Sequence, residues 1–271
     1  MADAFSPVGV FDSGVGGLSV LRAIWRELPQ EEVIFLADQA HVPYGPRSLE
    51  EVRSFSVAIT HYLLDQGAKL IVVACNAASA AALHHLRQTF EGVPFVGMEP
   101  AVKPAAETTQ SGMVGVLATP ATFQGELYAS VVERFANGVT LLTNTCPGLV
   151  TQIEAGRLDT PKTRRILTEA LQPMLAQGID TIVLGCTHYP FVIPLIQRIA
   201  GSSVRVIDPA PAVARQIRRL LNECGLLYPG QRFQEPPLLT RFLTTGKAQR
   251  LKTVLPRLLG LEAPILNVCA G

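Results

Sequence analysis

Charge is scarce in this chain. Asp, Glu, Lys and Arg make up 17% of its 271 residues, and the formal net charge is +1. No Lys/Arg cluster stands out, since Arg164-Arg165 and Arg218-Arg219 are only pairs on helix-like stretches. A nucleic-acid footprint is therefore excluded. Long apolar runs are missing too: the longest, Leu70 to Leu86, is broken by Asn76, Ser79, His84 and His85, which excludes a membrane span. The five cysteines (Cys75, Cys146, Cys186, Cys224, Cys269) are odd in number and irregularly spaced. That excludes a secreted disulfide framework and suits reduced thiols in a cytosol. Met1-Ala2-Asp3-Ala4 carries an acid where a signal peptide needs basic residues. The expectation is a soluble, cytoplasmic protein. With a hydrophobic fraction of 48%, it has ample core for one large domain or two of ordinary size.

What is present is alternation. Strand-like runs at Val8–Phe11, Val33–Ala37, Leu70–Ala74, Phe95–Gly97, Met113–Leu117, Thr140–Thr143, Thr181–Leu184, Val204–Ile207 and Leu239–Leu243 are separated by helix-period stretches. In Leu18–Leu28 the residues Leu18, Leu21, Ile24, Trp25 and Leu28 share one face. Ser48 with Glu51 is a capping box opening a helix through Val52, Phe55, Ile59 and Leu63. This alternation predicts an α/β fold with buried parallel strands wrapped by helices.

The pattern occurs twice. Gly67-Ala-Lys-Leu-Ile-Val-Val-Ala-Cys75-Asn76 and Gly178-Ile-Asp-Thr-Ile-Val-Leu-Gly-Cys186-Thr187 match, each with a glycine eight positions before its cysteine. Val8-Gly9-Val10-Phe11-Asp12-Ser13 likewise resembles Val114-Gly115-Val116-Leu117-Ala118-Thr119. Two similar α/β domains are expected. Residues 1–100 and 210–271 form the first, carrying Asp12 and Cys75. Residues 101–209 form the second, carrying Glu154, Cys186 and His188. Pro100 and Pro104 mark the outward crossover, and Asp208-Pro209-Ala210-Pro211 marks the return.

Functional groups in such sheets collect at the carboxyl ends of the strands, where both matched thiols fall. A lone strand cysteine is usually a small buried hydrophobe. Two at equivalent positions, each followed by a polar residue, reverse that weighting. Each is expected beside the next helix's N-terminus, where the dipole favours thiolate. His188, two residues past Cys186, can polarise the thiol or a substrate group. Asp12-Ser13-Gly14-Val15-Gly16-Gly17-Leu18 offers backbone N–H groups to an anion, with Asp12 able to orient or deprotonate an ammonium. It is not a dinucleotide fingerprint, because Ser19 stands where the third glycine is required. Pro43-Tyr44-Gly45 suits a turn presenting amides. Glu154 alone is an unremarkable helix-end acid, and Cys146, Cys224 and Cys269 read as core or surface thiols. No Cys-x2-Cys spacing, Cys-x5-Arg loop or Schiff-base lysine is apparent, so the expectation is metal-free thiol chemistry with no cofactor.

On Phe11-Asp12-Ser13-Gly14-Val15-Gly16-Gly17-Leu18, Val42-Pro43-Tyr44-Gly45, Cys75-Asn76, Gly185-Cys186-Thr187-His188-Tyr189-Pro190 and Ile207-Asp208, the chain resembles the glutamate racemases of the aspartate/glutamate racemase superfamily. The resemblance runs through nearly its whole length. It implies two α/β domains related by approximate two-fold symmetry, with the active site between them. It also implies a cofactor-independent isomerase that interconverts L- and D-glutamate for peptidoglycan synthesis, and so serves cell wall biogenesis and cell shape. By that resemblance Cys75 deprotonates D-glutamate and Cys186 deprotonates L-glutamate, with Asp12 and the Glu154/His188 pair as accessory groups. The substrate contacts implied are Asp12, Ser13, Pro43, Tyr44, Gly45, Cys75, Asn76, Ala77, Thr119, Thr122, Cys186, Thr187 and His188. Ala77 departs from the pattern, since members usually read Cys-Asn-Thr there. An aspartate or hydantoin racemase is the alternative reading. The expected partner is a small-molecule substrate, glutamate, with no nucleic acid and no membrane, in a homodimer.

Overall fold

Parallel pairing unites the strands of the computed structural model, which describes residues 2–270. The chain runs β1 (Val8–Asp12), α1 (Leu18–Glu27), β2 (Val33–Ala37), α2 (Leu49–Asp65), β3 (Leu70–Val73), α3 (Asn76–Thr89) and β4 (Phe95–Gly97). After α4 (Val102–Thr108) come β5 (Met113–Ala118), α5 (Pro120–Gln124), α6 (Glu126–Phe135), β6 (Thr140–Asn144), α7 (Leu149–Glu154), α8 (Pro161–Ala176) and β7 (Thr181–Gly185). A 3₁₀ turn (Tyr189–Val192), α9 (Ile193–Ala200), β8 (Arg205–Ile207) and α10 (Ala210–Glu223) follow. The chain closes with β9 (Thr240–Thr244), α11 (Ala248–Leu259) and β10 (Ile265–Asn267).

Two sheets result, ordered β10-β9-β2-β1-β3-β4 and β6-β5-β7-β8. The duplication is visible in that order. β2-β1-β3-β4 and β6-β5-β7-β8 are the same arrangement, with β1 and β5 each flanked by the next two strands. Val8 faces both Val33 and Leu70, while Val114 faces Leu141 and Thr181. The larger sheet is extended by β9, which adds to the outer edge of β2, and by β10 beyond it. The fold is thus two similar parallel-sheet α/β domains.

The apolar runs explain the sheets. β1, β2, β3 and β7 are buried at every residue, as strands covered on both faces must be. β6 lies at an edge and is partly exposed, which fits its Thr and Asn content. In α1, Leu18, Leu21 and Ile24 are buried, and Trp25 lies edge-on to Phe242 while its Nε1 donates to Thr240 Oγ1 at 2.9 Å. The expected capping box opens α2: Ser48 Oγ accepts from the Glu51 amide, and the Glu51 carboxylate accepts from the Ser48 amide. Pro104 sits in the first turn of α4, where its missing N–H costs no helical hydrogen bond. Among the described residues no helix is long and apolar enough to cross a membrane.

Candidate active site

Loops leaving the carboxyl ends of six strands, three from each sheet, enclose a cavity of about 240 Å³. Ser13 follows β1, Pro43-Tyr44-Gly45 follows β2 and Cys75-Asn76-Ala77 follows β3. Thr119 follows β5, Thr145 to Gly148 follow β6, and Cys186-Thr187-His188 follow β7. Both matched thiols therefore line one cavity, each from the corresponding strand of its own sheet. Of the residues read from the sequence, Asp12, Glu154 and Thr122 do not line it. Asp12 and Glu154 lie behind the wall, joined to lining residues by hydrogen bonds, and Thr122 bonds Thr119 hydroxyl to hydroxyl at 3.0 Å.

The two thiols have unlike surroundings. Cys75 is buried, with Sγ 3.9 Å from Ser13 Oγ. Burial, and then the nearby Asp12 charge, push its thiol well above the ordinary cysteine range, and the Ala78 amide at the start of α3 only partly offsets them. The helix N-terminus favours the thiolate at Cys75 as expected, but desolvation beside a carboxylate outweighs it. Burial likewise raises the Asp12 carboxyl, although His188 and the Gly17 and Gly14 amides pull it down. Cys186 opens onto a 3₁₀ turn instead of an α-helix. Its Sγ lies 3.7 Å from His188 Nδ1, and His188 Nε2 lies 2.8 Å from Glu154 Oε1. Burial works against charge on this imidazole, yet Cys186 and Glu154 hold its pKa well above the usual histidine value. Burial also opposes ionisation of Glu154, but His188, the Val15 amide and Gln39 lower its pKa overall.

The glycine loop works differently from the sequence expectation. Three of its amides are already occupied: Gly14 and Gly17 donate to Asp12 Oδ2 at 3.1 and 3.0 Å, and Val15 donates to Glu154 Oε1 at 2.7 Å. The anions the loop holds are the protein's own carboxylates, and of Asp12 to Leu18 only Ser13 lines the cavity. Close approach explains two of the glycines. A Cβ on Gly14 would lie 2.0 Å from Glu154 Oε1, and one on Gly16 would lie 2.4 Å from His188 Nδ1. Tyr44 lines the wall, but its hydroxyl is taken by Asp38 at 2.5 Å. Asn76 is the reverse case. It is 3% exposed, yet neither Nδ2 nor Oδ1 has a hydrogen-bond partner in the protein. A buried amide aimed into a cavity without partners is costly unless a ligand satisfies it.

Sequence reasoning missed the stretch Thr145-Cys146-Pro147-Gly148 with Val150 and Thr151, all in the cavity wall. Cys146 is neither a plain core nor a surface thiol: it lines the cavity, has left-handed backbone (φ 44°), and burial followed by Cys186 pushes its thiol up to about 12. A signal was available. This loop follows β6, the counterpart of β2, so it occupies the place that Pro43-Tyr44-Gly45 occupies in the first copy.

Fold, duplicated thiols and cavity define a racemase-type isomerase, and the chain belongs to the Asp/Glu/Hydantoin racemase family, whose model matches residues 8–217. Its similarities within that family are to glutamate racemases. The glutamate racemase of Ectopseudomonas mendocina (strain ymp) is 51% identical over 98% of this chain and 99% of that protein. The crystal structure of Escherichia coli glutamate racemase in complex with L-glutamate and the activator UDP-MurNAc-Ala is 32% identical, with a TM-score of 0.83 and 97% of each chain covered. That of the Francisella tularensis enzyme in complex with D-glutamate is 30% identical, with a TM-score of 0.83 and 98% of each chain covered.

Proposed function

We propose that this protein is a cofactor-independent glutamate racemase that interconverts L- and D-glutamate by two-cysteine proton transfer at Cα. The observation that carries the reading is the pair of buried thiols, Cys75 and Cys186, lining one cavity from equivalent positions of two duplicated sheets. Inverting a stereocentre requires removing hydrogen from one face and returning it to the other, and a thiol on each side does so without turning the substrate over. For L-glutamate, the Cys186 thiolate takes the Cα proton, and the Cys75 thiol gives its own proton to the opposite face. The product leaves with Cys186 protonated and Cys75 as thiolate, poised for the reverse reaction.

The accessory groups fit that division. The His188–Glu154 pair exchanges charge with Cys186, while Asp12 acts from behind the wall on Cys75 and, through Thr187, on the substrate ammonium. That ammonium offsets the negative charge which, together with burial, raises the Cys75 thiol. Asn76 and Thr187 hold the α-carboxylate, where hydrogen bonds strengthen as carbanion charge spreads into it. Ser13 and the Pro43-Tyr44-Gly45 turn, with Thr119, receive the side-chain carboxylate. Thr151, across the cavity, and the space left by Ala77 complete its surroundings.

The reading extends to a cytoplasmic homodimer supplying D-glutamate to peptidoglycan, with domain boundaries near residues 100 and 210. The test is direct: Cys75→Ala and Cys186→Ala should each abolish racemisation, and L-glutamate incubated in D₂O should yield D-glutamate deuterated at Cα. Near-normal turnover in either single variant would sink the two-base scheme. Aspartate inverted in preference to glutamate would reassign the substrate.

A further inference from the structure

We infer that Gln39 is a positioning residue that holds the acid–base pair of Cys186 in register across the domain boundary. Gln39 follows β2 in the larger-sheet domain, whereas Glu154 and His188 belong to the smaller-sheet part of the chain. Its Nε2 donates to Glu154 Oε2 at 3.2 Å, and its Oε1 accepts from Thr244 Oγ1 at 3.3 Å. Gln39 is 5% exposed, and a Cβ on Gly246 would lie 2.7 Å from its own Cβ, so the neighbouring backbone packs directly on it.

The two carboxylate oxygens of Glu154 have distinct duties. Oε1 meets His188 Nε2 and the Val15 amide, at 2.8 and 2.7 Å. Oε2 meets Gln39, with the half-exposed Arg250 guanidinium farther off at 3.8 Å. Apart from His188, every one of these partners comes from the other domain. Without Gln39 the carboxylate can pivot about Oε1, and His188 then loses the fixed orientation that keeps Nδ1 toward Cys186. The charged and titratable groups facing the pair are Cys186, Asp12 and Arg250.

A donor on a carboxylate disperses its charge, so removing that donor raises the proton affinity of the coupled His188–Glu154 pair. This inference rests on the racemase reading for its rate assay alone; its second readout needs no substrate. In unliganded, ¹⁵N-histidine-labelled protein, the His188 imidazole is identified by the signal missing in His188→Gln and then titrated by NMR. Gln39→Met, which keeps the volume and removes the donor, should displace that titration to higher pH. It should also lower kcat/KM roughly tenfold, the effect of losing one charge-assisted hydrogen bond. Gln39→Glu keeps the shape and sets a second carboxyl against Glu154, so the alkaline displacement should be larger.

A His188 titration that is unchanged or moved to lower pH in both variants overturns the inference, even if rates fall, because a purely structural role would slow the enzyme without touching it. An alkaline displacement in protein that does not racemise glutamate supports the Gln39 role and removes the glutamate reading instead.

Discussion

Cys75 shows how one residue can be both reactive and protected. Its thiol is buried next to Asp12, and both effects favour the protonated form well beyond the ordinary cysteine range. The folded state therefore keeps this proton at pH values where the unfolded chain has released it. Stability is full below the unfolded cysteine pKa and falls as pH rises above it. The raised His188 pKa acts in the same direction over a window that opens lower, from the unfolded histidine value upward. The unliganded protein should lose thermal stability progressively from about pH 6.5, and more steeply above about pH 9. Cys75→Ala should make that decline shallower, as melting curves between pH 7 and 11 would reveal. A decline equally steep in the variant would place its cause elsewhere.

At the scale of elements, the duplicated strands begin as tellingly as they end. Lys69, just before β3, is buried and bonds Glu31 at 2.6 Å and the Ala4 carbonyl at 2.8 Å. Asp180, just before β7, accepts from Thr109, Gln110, Ser111 and Thr181 at 2.6 to 2.9 Å. The two copies thus anchor equivalent strand starts with opposite charges. Slight burial disfavours the Asp180 anion, but donors from Ser111, Thr109 and Gln110 hold its carboxyl below the usual aspartate range. A depressed pKa contributes stability that is present above the unfolded value and lost as pH falls toward the folded one. Asp180→Ala should cost about 1–2 kcal/mol at pH 7, a modest figure for a partly exposed carboxylate. In urea titrations, the gap from the parent protein should narrow from pH 5 toward pH 2.

Of the ten strands among the described residues nine were legible. β1, β2, β3 and β7 were so because their apolar runs are covered on both faces, and the partly exposed β6, β8 and β9 because each still carries a short apolar run between helix-period stretches. β10 was not: it has three residues, is partly exposed and sits at an edge, so burial imposes no pattern on it. The same distinction governs the site. Cys75 and Cys186 stood out because each repeats the other. The occupied Val15 amide could not be read, because its partner Glu154 lies 139 residues away in the chain. Nor could burial of Cys75 be weighed against its helix cap, since proximity to Asp12 is a product of sheet order.

The molecule as a whole joins its halves through the site itself. Ser19 Oγ donates to the Thr187 carbonyl at 2.8 Å, Thr187 Oγ1 to Asp12 at 3.4 Å, and Val15 and Gln39 to Glu154. A ligand that satisfies Asn76 and spans the cavity adds contacts to both halves at once. Glutamate at a hundred times its dissociation constant should therefore stabilise the fold by about 2.7 kcal/mol. In differential scanning calorimetry this appears as a concentration-dependent rise in Tm, and no rise at saturating glutamate would contradict binding in this cavity.

The sheet order has one more consequence, set in the time of synthesis. β1 to β4 leave the ribosome early, but β2 keeps an open edge until β9 arrives, some 200 residues later by its pairing of Val33 with Thr240. Meanwhile Val33-Ile34-Phe35-Leu36-Ala37, fully buried in the finished protein, is an apolar strand with a free row of amides, the kind of edge that recruits other chains. The smaller sheet needs nothing beyond β8, so it is complete while the larger one still waits. The half that is translated first is the last to close, and the nascent chain is most exposed to aggregation during that interval.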